Sequence, residues 1–210
     1  MGGGIWGSRG WNAVVLAGGR ARRLGGVDKP ALVVGERSML DIVLLACDGA
    51  AGIVVVGPPR PTVVDVRWTR EDPPHGGPLA ALVAGLHAMP EPAEATAVLA
   101  ADLPGLRAHT LRRLLDALAD EPAGRSGRGW VDGALLVDPA GRPQWLAGVW
   151  RTAALRTGLA GLGDPTGQAL HALLEGLPSA RVPAIGNETL DVDTRADLEV
   201  HSGHTGRPVI

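Results

Sequence analysis

The chain has 210 residues and a mass of 21.6 kDa, with an apolar fraction of 45% and a charged fraction of 20%, the balance of a folded globular chain rather than a disordered one. A formal net charge of -2 and a pI near 6.3 argue against a protein whose main task is to coat nucleic acid or an anionic membrane. The single cysteine, Cys47, excludes an internal disulfide and a multi-cysteine zinc cluster.

Residues 1–11 are Gly-rich and lack the hydrophobic region of a signal peptide. They are expected to form a flexible N-terminal extension before one domain spanning 12–201, with 202–210 as a C-terminal tail. No apolar run approaches the roughly 20 residues of a membrane-spanning helix. The expected location is therefore the cytoplasm, where a free Cys47 stays reduced.

Three short, continuous apolar runs stand out: 13–17, 53–56 and 97–101. Runs of this kind fit strands covered on both faces, as in a parallel sheet. Helical spacing of i, i+3, i+4, i+7 lies between and after them, at Leu40, Val43, Leu44 and Cys47, at Leu79, Leu82, Val83 and Leu86, and at Leu111, Leu114, Leu115 and Leu118. Strand and helix in alternation predict an α/β fold, a single Rossmann-like doubly wound domain with a mostly parallel central sheet. Residues 121–129, rich in Gly, Pro and Arg, read as a loop. Beyond them, strands are expected at 130–137 and 143–150, and helices from Arg151, over 166–174 and over 194–200.

Two features of composition bear on function. Tyr and Phe are absent, so six Trp supply all the aromatic mass, too few for the stacking platform of a single-strand binder. Lys29 is the only lysine among twenty basic residues. In a chain that uses Arg elsewhere, it is a candidate for a task that a guanidinium does not perform.

Lys29 closes the segment LAGGRARRLGGVDK, residues 16–29, which follows the first predicted strand. Gly18 and Gly19 allow a ligand to approach the backbone closely, and their N–H groups can face phosphate oxygens. Arg22, Arg23 and Lys29 add positive charge, and Gly25 and Gly26 add freedom of the loop. The order of residues matches neither the P-loop nor the dinucleotide fingerprint. Asp102 follows the third apolar run, at the edge where open α/β sheets bind ligands. It suits a metal ligand or the cap of the next helix. Asp72 suits a ligand contact or a solvated turn, and Gly77 and Pro78 open a helix whose N-terminus presents unpaired N–H groups. His75, His87, His109 and His171 share no metal-binding spacing and read as ordinary residues, and Cys47 reads as a small buried group.

The 16–29 segment closely resembles the signature L-A-G-G-x-x-x-R-M-G-x-x-D-K of the MobA-type molybdenum cofactor guanylyltransferases and their nucleotidyltransferase relatives, with Leu24 in place of Met. Asp72 with Gly77-Pro78-Leu79 resembles the family's D-x-x-x-x-G-P-L segment, and Asp102-Leu103-Pro104 its D-x-P motif. Gln144-Trp145-Leu146 with Trp150-Arg151 resembles Q-P-L-x-A-x-Y-R, with Trp145, Gly148 and Trp150 as departures. Residues 190–198, LDVDTRADL, resemble the closing N-x-N-T-P-E-D-L. The resemblance covers about residues 12–200.

The resemblance implies a nucleotide-diphospho-sugar transferase type of fold and transfer of GMP from Mg·GTP to the molybdenum–molybdopterin cofactor, with release of pyrophosphate. It implies Arg23, Lys29 and Asp102 as catalytic residues, and Leu16, Ala17, Gly18, Gly19, Lys29, Asp72, Gly77, Pro78 and Asp102 as the nucleotide site. Asp102 would hold Mg²⁺. Gln144, Asp191 and Asp193 would face the acceptor. GTP and the molybdopterin cofactor are the implied partners, with room for transient contact with cofactor-delivery or molybdoenzyme proteins, and without nucleic acid or membrane. Asp191 and Asp193 stand where guanylyltransferases commonly carry Asn, a form also similar to relatives that use CTP or other small phosphorylated acceptors. The residues are also compatible with a nucleotide-binding module without turnover and with a sugar-phosphate nucleotidyltransferase.

Overall fold

The computed structural model describes residues 10–18, 28–89, 93–119 and 130–190. Gly19, Arg22, Arg23, Asp191 and Asp193 lie outside the described residues, as do the expected loop 121–129 and the expected helix 194–200.

The first apolar run forms β1, Trp11–Leu16, in which every residue is buried. It starts before the expected domain boundary, because the Trp11 indole is part of the core rather than of an extension. β4 (Gly52–Val56) and β6 (Ala95–Ala100) flank β1 in parallel, and β5 (Arg67–Thr69) pairs in parallel outside β4. On the other side, β8 (Pro143–Arg151) runs antiparallel to β6 and to β7 (Gly133–Val137), and β9 (Ser179–Pro183) pairs in parallel with β7. The seven-stranded sheet has the order β5-β4-β1-β6-β8-β7-β9, so β8 is the reversed strand of a mostly parallel sheet. A separate hairpin of β2 (Val33–Val34) and β3 (Arg37–Ser38) precedes the first helix.

Period-two alternation in β1 feeds two cores. Ala13 and Val15 pack with α1 (Met39–Ala46) and α3 (Ala108–Ala119) on one face. Val14 and Leu16 pack with α2 (Gly77–Ala88), α4 (Thr152–Ala160) and the short α5 (His171–Leu174) on the other. Helices on both faces make this the doubly wound architecture that the alternation predicts. α1 begins at Ser38, whose side chain accepts the Asp41 backbone N–H at 3.0 Å. Gly85 lets α2 lie close to the sheet, since a Cβ there would stand 2.5 Å from Val14 Cγ1.

The expected helix over 166–174 shrinks to His171–Leu174. Gly167, at φ +73°, turns the chain before it, and the Thr166 amide donates to Asp164 instead of to a helical carbonyl. The strand expected from residue 130 starts at Gly133, where the Trp150 ring occupies the space that a Cβ would need. Trp150 is fully buried, the largest such side chain among the described residues.

Candidate active site

β1 and β6 are neighbours, but the chain leaves β1 for β4 and β5 on one side and returns through α2 to β6 on the other. The carboxyl ends of β1 and β6 therefore border the crevice where open α/β sheets bind ligands. Leu16 ends β1 opposite Ala100, and the Ala101 amide donates to the Leu16 carbonyl at 3.1 Å. That bond ties the residue before Asp102 to the end of β1. Leu16 and Ala17 are buried, and Gly18 is exposed.

The end of β4 supports this edge. Ala17 N–H donates to the Val56 carbonyl at 2.8 Å, and the Gly57 amide to Thr69 at 2.9 Å. Gly57 lies against the Ala17–Gly18 peptide so closely that a Cβ would stand 2.8 Å from the Ala17 carbonyl carbon and oxygen. Its role was not evident in the sequence, although the Gly-Pro-Pro that stops the second apolar run marks the position.

Lys29 begins a single 3-10 turn, Lys29–Ala31, and its Nζ stands 2.6 Å from Asp102 Oδ2. Both side chains are mostly screened from solvent, with 15% and 26% exposure. The ion pair joins the segment that follows β1 to the carboxyl end of β6. Asp28, just before Lys29, accepts two hydrogen bonds from Arg60, at 3.0 Å from Nε and 2.9 Å from the guanidinium NH2 group. The Arg60 guanidinium also lies 5.8 Å from the centre of the Trp68 ring. A planar fork held on a ring fixes Asp28 bidentately, and Asp28 in turn fixes the turn that carries Lys29. The sequence contains no local signal for Arg60.

The next acids are adjacent and face differently. Asp72 is exposed, whereas Glu71 is partly buried. Glu71 Oε1 lies 4.0 Å from the Cβ position of Gly18, and it accepts the His75 amide at 3.2 Å. The structure thus brings Glu71, which sequence reasoning passed over, against Gly18. Gly77, at φ +91°, and Pro78 open α2 as expected. The turn at 167–168 packs on this helix start, and Gly76 C=O accepts the Gly167 amide at 2.7 Å.

Gln144 sits near the start of β8, which is antiparallel to β6 with Ala147 opposite Leu99. Reversal of β8 therefore places Gln144 at the sheet edge that carries Asp102. Among the described residues, no group of three or more His, Cys, Asp or Glu side chains is placed to hold a metal ion. Cys47 is buried, donates its thiol to the Val43 carbonyl at 3.3 Å, and has its pKa pushed up to about 12 by burial.

A family model described as the MobA-like NTP transferase domain matches residues 13–181. The chain belongs to this family. A curated relative, the molybdenum cofactor guanylyltransferase of Acidiphilium cryptum, is 40% identical over 79 residues. The aligned stretch covers 35% of this chain and spans 40% of that relative's length. Among solved structures, molybdopterin-guanine dinucleotide biosynthesis protein A from Archaeoglobus fulgidus superposes with a TM-score of 0.64 at 17% identity, over 92% of this chain and 98% of that one. The 2-C-methyl-D-erythritol 4-phosphate cytidylyltransferase from Thermus thermophilus gives 0.65 at 19% identity, over 91% and 97%. The Rv0371c protein of Mycobacterium tuberculosis, solved as a complex with manganese, gives 0.61 at 18% identity, over 92% and 98%. These likenesses show that the chain shares the fold of those three proteins. In this MobA-like domain, the described parts of the signature loop and of the D-x-P motif meet through the Lys29–Asp102 pair.

No helix among the described residues is long and apolar enough to cross a membrane.

Proposed function

We propose that this MobA-like domain transfers GMP from GTP to the terminal phosphate of the molybdenum–molybdopterin cofactor. An acceptor phosphate oxygen forms a bond to the α-phosphorus, the α–β bridging bond breaks, and pyrophosphate departs with the electron pair. The observation that carries this reading is the Lys29–Asp102 pair at the β1/β6 crevice, 2.6 Å apart at the end of a glycine loop. The acceptor is already an anionic nucleophile, so the site needs neither a strong base nor a covalent intermediate. Its task is alignment and charge neutralisation.

Gly18 leaves the backbone open to the triphosphate, and the Lys29 ammonium screens its oxygens. Arg23 adds charge from the same loop, and Gly19 a further amide. Leu16, Ala17, Gly77 and Pro78 complete the nucleotide side, with an acid from the 71–72 pair accepting from base or ribose. Gln144, Asp191 and Asp193 serve the acceptor.

A divalent ion fits the donor chemistry. Asp102 offers a hard carboxylate with 26% exposure at the sheet edge, without an all-protein cage among the described residues. Mg²⁺ commonly takes one or two carboxylates and completes its shell with phosphate oxygens and water. When bound, it would supply charge stabilisation at the α-phosphoryl group. The cytoplasm is the matching compartment.

A guanylyl reading is supported by the curated relative named for that activity. A cytidylyl reading is favoured by the Asp191-x-Asp193 form and by the likeness to a cytidylyltransferase. Pyrophosphate release from each NTP with Mg²⁺, with and without molybdopterin, decides between them. Release that requires GTP and the acceptor is the expected result. Release with no nucleotide under any condition rejects the transferase reading.

A further inference from the structure

Glu188 is 2% exposed, at the far side of the Asp102 loop and beyond the stretch that the family model matches. Among the described residues, every donor placed around it comes from α3 or from its own turn. The Thr110 hydroxyl donates to Oε1 at 2.6 Å, and Arg113 NH1 reaches Oε1 and Oε2 at 2.8 and 2.9 Å. The Ile185 amide donates to Oε2 at 2.7 Å, and the exposed His109 lies 3.5 Å from Oε1. Burial pushes the carboxyl up, but Thr110, Ile185 and Arg113 outweigh it and hold the group below the ordinary carboxylate range.

A buried carboxylate satisfied this fully fixes whatever it joins, and breaking it strands a charge. It joins its own turn, 185–188, to α3, and that turn lies on the Asp102 loop. The Asn187–Glu188 backbone lies directly on Gly105, where a Cβ would overlap the Asn187 carbonyl. Thr110 also accepts the Arg107 amide at 3.3 Å. Arg107 NH1 in turn donates to the Pro104 and Leu106 carbonyls, each at 2.7 Å. The residues from Pro104 to Arg107 are thereby held from α3 below and from the 187–188 backbone above. Leu103 and Leu106 are buried beneath them.

We infer that Glu188 is a positioning residue for Asp102: with Thr110 and Arg113 it locks the loop that follows β6 and so sets the Asp102 carboxylate for a divalent ion and nucleotide phosphate. The inference rests on the proposed role of Asp102. It assigns to the segment after β9 a function in metal binding that its distance in sequence from the D-x-P motif conceals.

The test uses the full chain with Mn²⁺ as probe, its binding followed by electron paramagnetic resonance in saturating GTP and in saturating CTP. Melting temperature, KM and kcat are measured beside it. Supporting partners of metal ligands typically contribute about 10- to 100-fold to affinity or activity. Glu188→Gln, close to isosteric, is expected to weaken Mn²⁺ binding by about 10-fold, with the larger effect on half-saturating metal than on nucleotide KM. Thr110→Val is expected to weaken binding in the same sense, and Thr110→Ser to restore it, because the serine hydroxyl can donate and accept in the same place. The two Thr110 variants decide the question if Glu188→Gln does not fold. Lower melting temperatures with wild-type Mn²⁺ affinity in Glu188→Gln and Thr110→Val would falsify the inference, provided Asp102→Asn has lost binding. If Asp102→Asn binds Mn²⁺ like the wild type, the reading of the site itself is overturned, and the positioning role with it.

Discussion

The ammonium of Lys29 and the carboxylate of Asp102 face each other at 2.6 Å across the carboxyl ends of β1 and β6. An ammonium is a compact point donor, whereas a guanidinium is wide, planar and fixed in its hydrogen-bond directions. Lys29→Arg is therefore expected to be seriously impaired although it keeps the charge. A misplacement of about 1 Å in a transferase site can cost on the order of 100-fold in rate. Steady-state turnover with melting temperatures is the check. Wild-type turnover in Lys29→Arg would show that the lone lysine carries no geometric requirement.

Asp102→Ala removes the carboxylate at this edge and leaves Lys29 without that partner. Asp102 lies at the sheet edge and belongs to neither hydrophobic core, so the fold is expected to persist. Turnover is expected to fall at least about 100-fold, the order found when a preorganised charge-stabilising group is lost. The comparison is made at saturating Mg²⁺ with circular dichroism as the control for folding. Activity near that of the wild type eliminates Asp102 from the chemistry.

GTP is expected to stabilise the chain more than CTP or ATP in a thermal-shift titration with Mg²⁺. At about 100 times its dissociation constant, a ligand stabilises the folded state by roughly 2.7 kcal/mol. A shift with CTP and none with GTP transfers the assignment to the cytidylyl reading.

Gly57→Val should damage the fold and the site together. A side chain at Gly57 meets the Ala17 carbonyl group at 2.8 Å, and backbone cannot yield as a flexible side chain does. Overpacking of this kind costs about 1–3 kcal/mol. Because the displaced peptide is Ala17–Gly18, nucleotide KM should rise as well. Urea denaturation and KM are measured together, and unchanged values for both remove Gly57 from the support of the loop.

Glu188 also predicts a pH dependence. Its carboxyl is held lower in the folded chain than in the unfolded one. The stability it contributes is therefore complete above the unfolded value of about 4.3 and is lost as pH falls through the folded value. The stability gap between wild type and Glu188→Gln, from urea denaturation, is expected to be wide at pH 7 and to narrow on acidification through the carboxylate range. A gap that stays constant from neutral pH into that range contradicts the assignment.

Much of the fold was legible in the sequence because the central strands are buried on both faces. The runs that became β1, β4 and β6 had to be continuously apolar, and they were. β5 and β9 escaped notice for the converse reason: they lie at the edges of the sheet, are partly exposed, and carry Arg, Thr and Ser. The family was legible because the signature residues 16–29 and Asp102-Leu103-Pro104 are local features of the chain.

The tertiary structure alone decided which charges meet. Arg60 and Asp28 are 32 positions apart, and Arg113 and Glu188 are 75 apart, yet each pair is within hydrogen-bond distance. Coulomb energy and hydrogen bonding depend on separation in space, which sequence spacing does not supply between different elements. The same limit separates Glu71 from Asp72. The two acids are neighbours in the chain and alike in chemistry, and only the direction of the backbone leaving β5 turns Glu71 toward Gly18 and leaves Asp72 exposed. Local composition determined the layers and the kinds of residue at the sheet edge, and folding determined their partners, because contact between distant segments exists only once the sheet has brought its strand ends together.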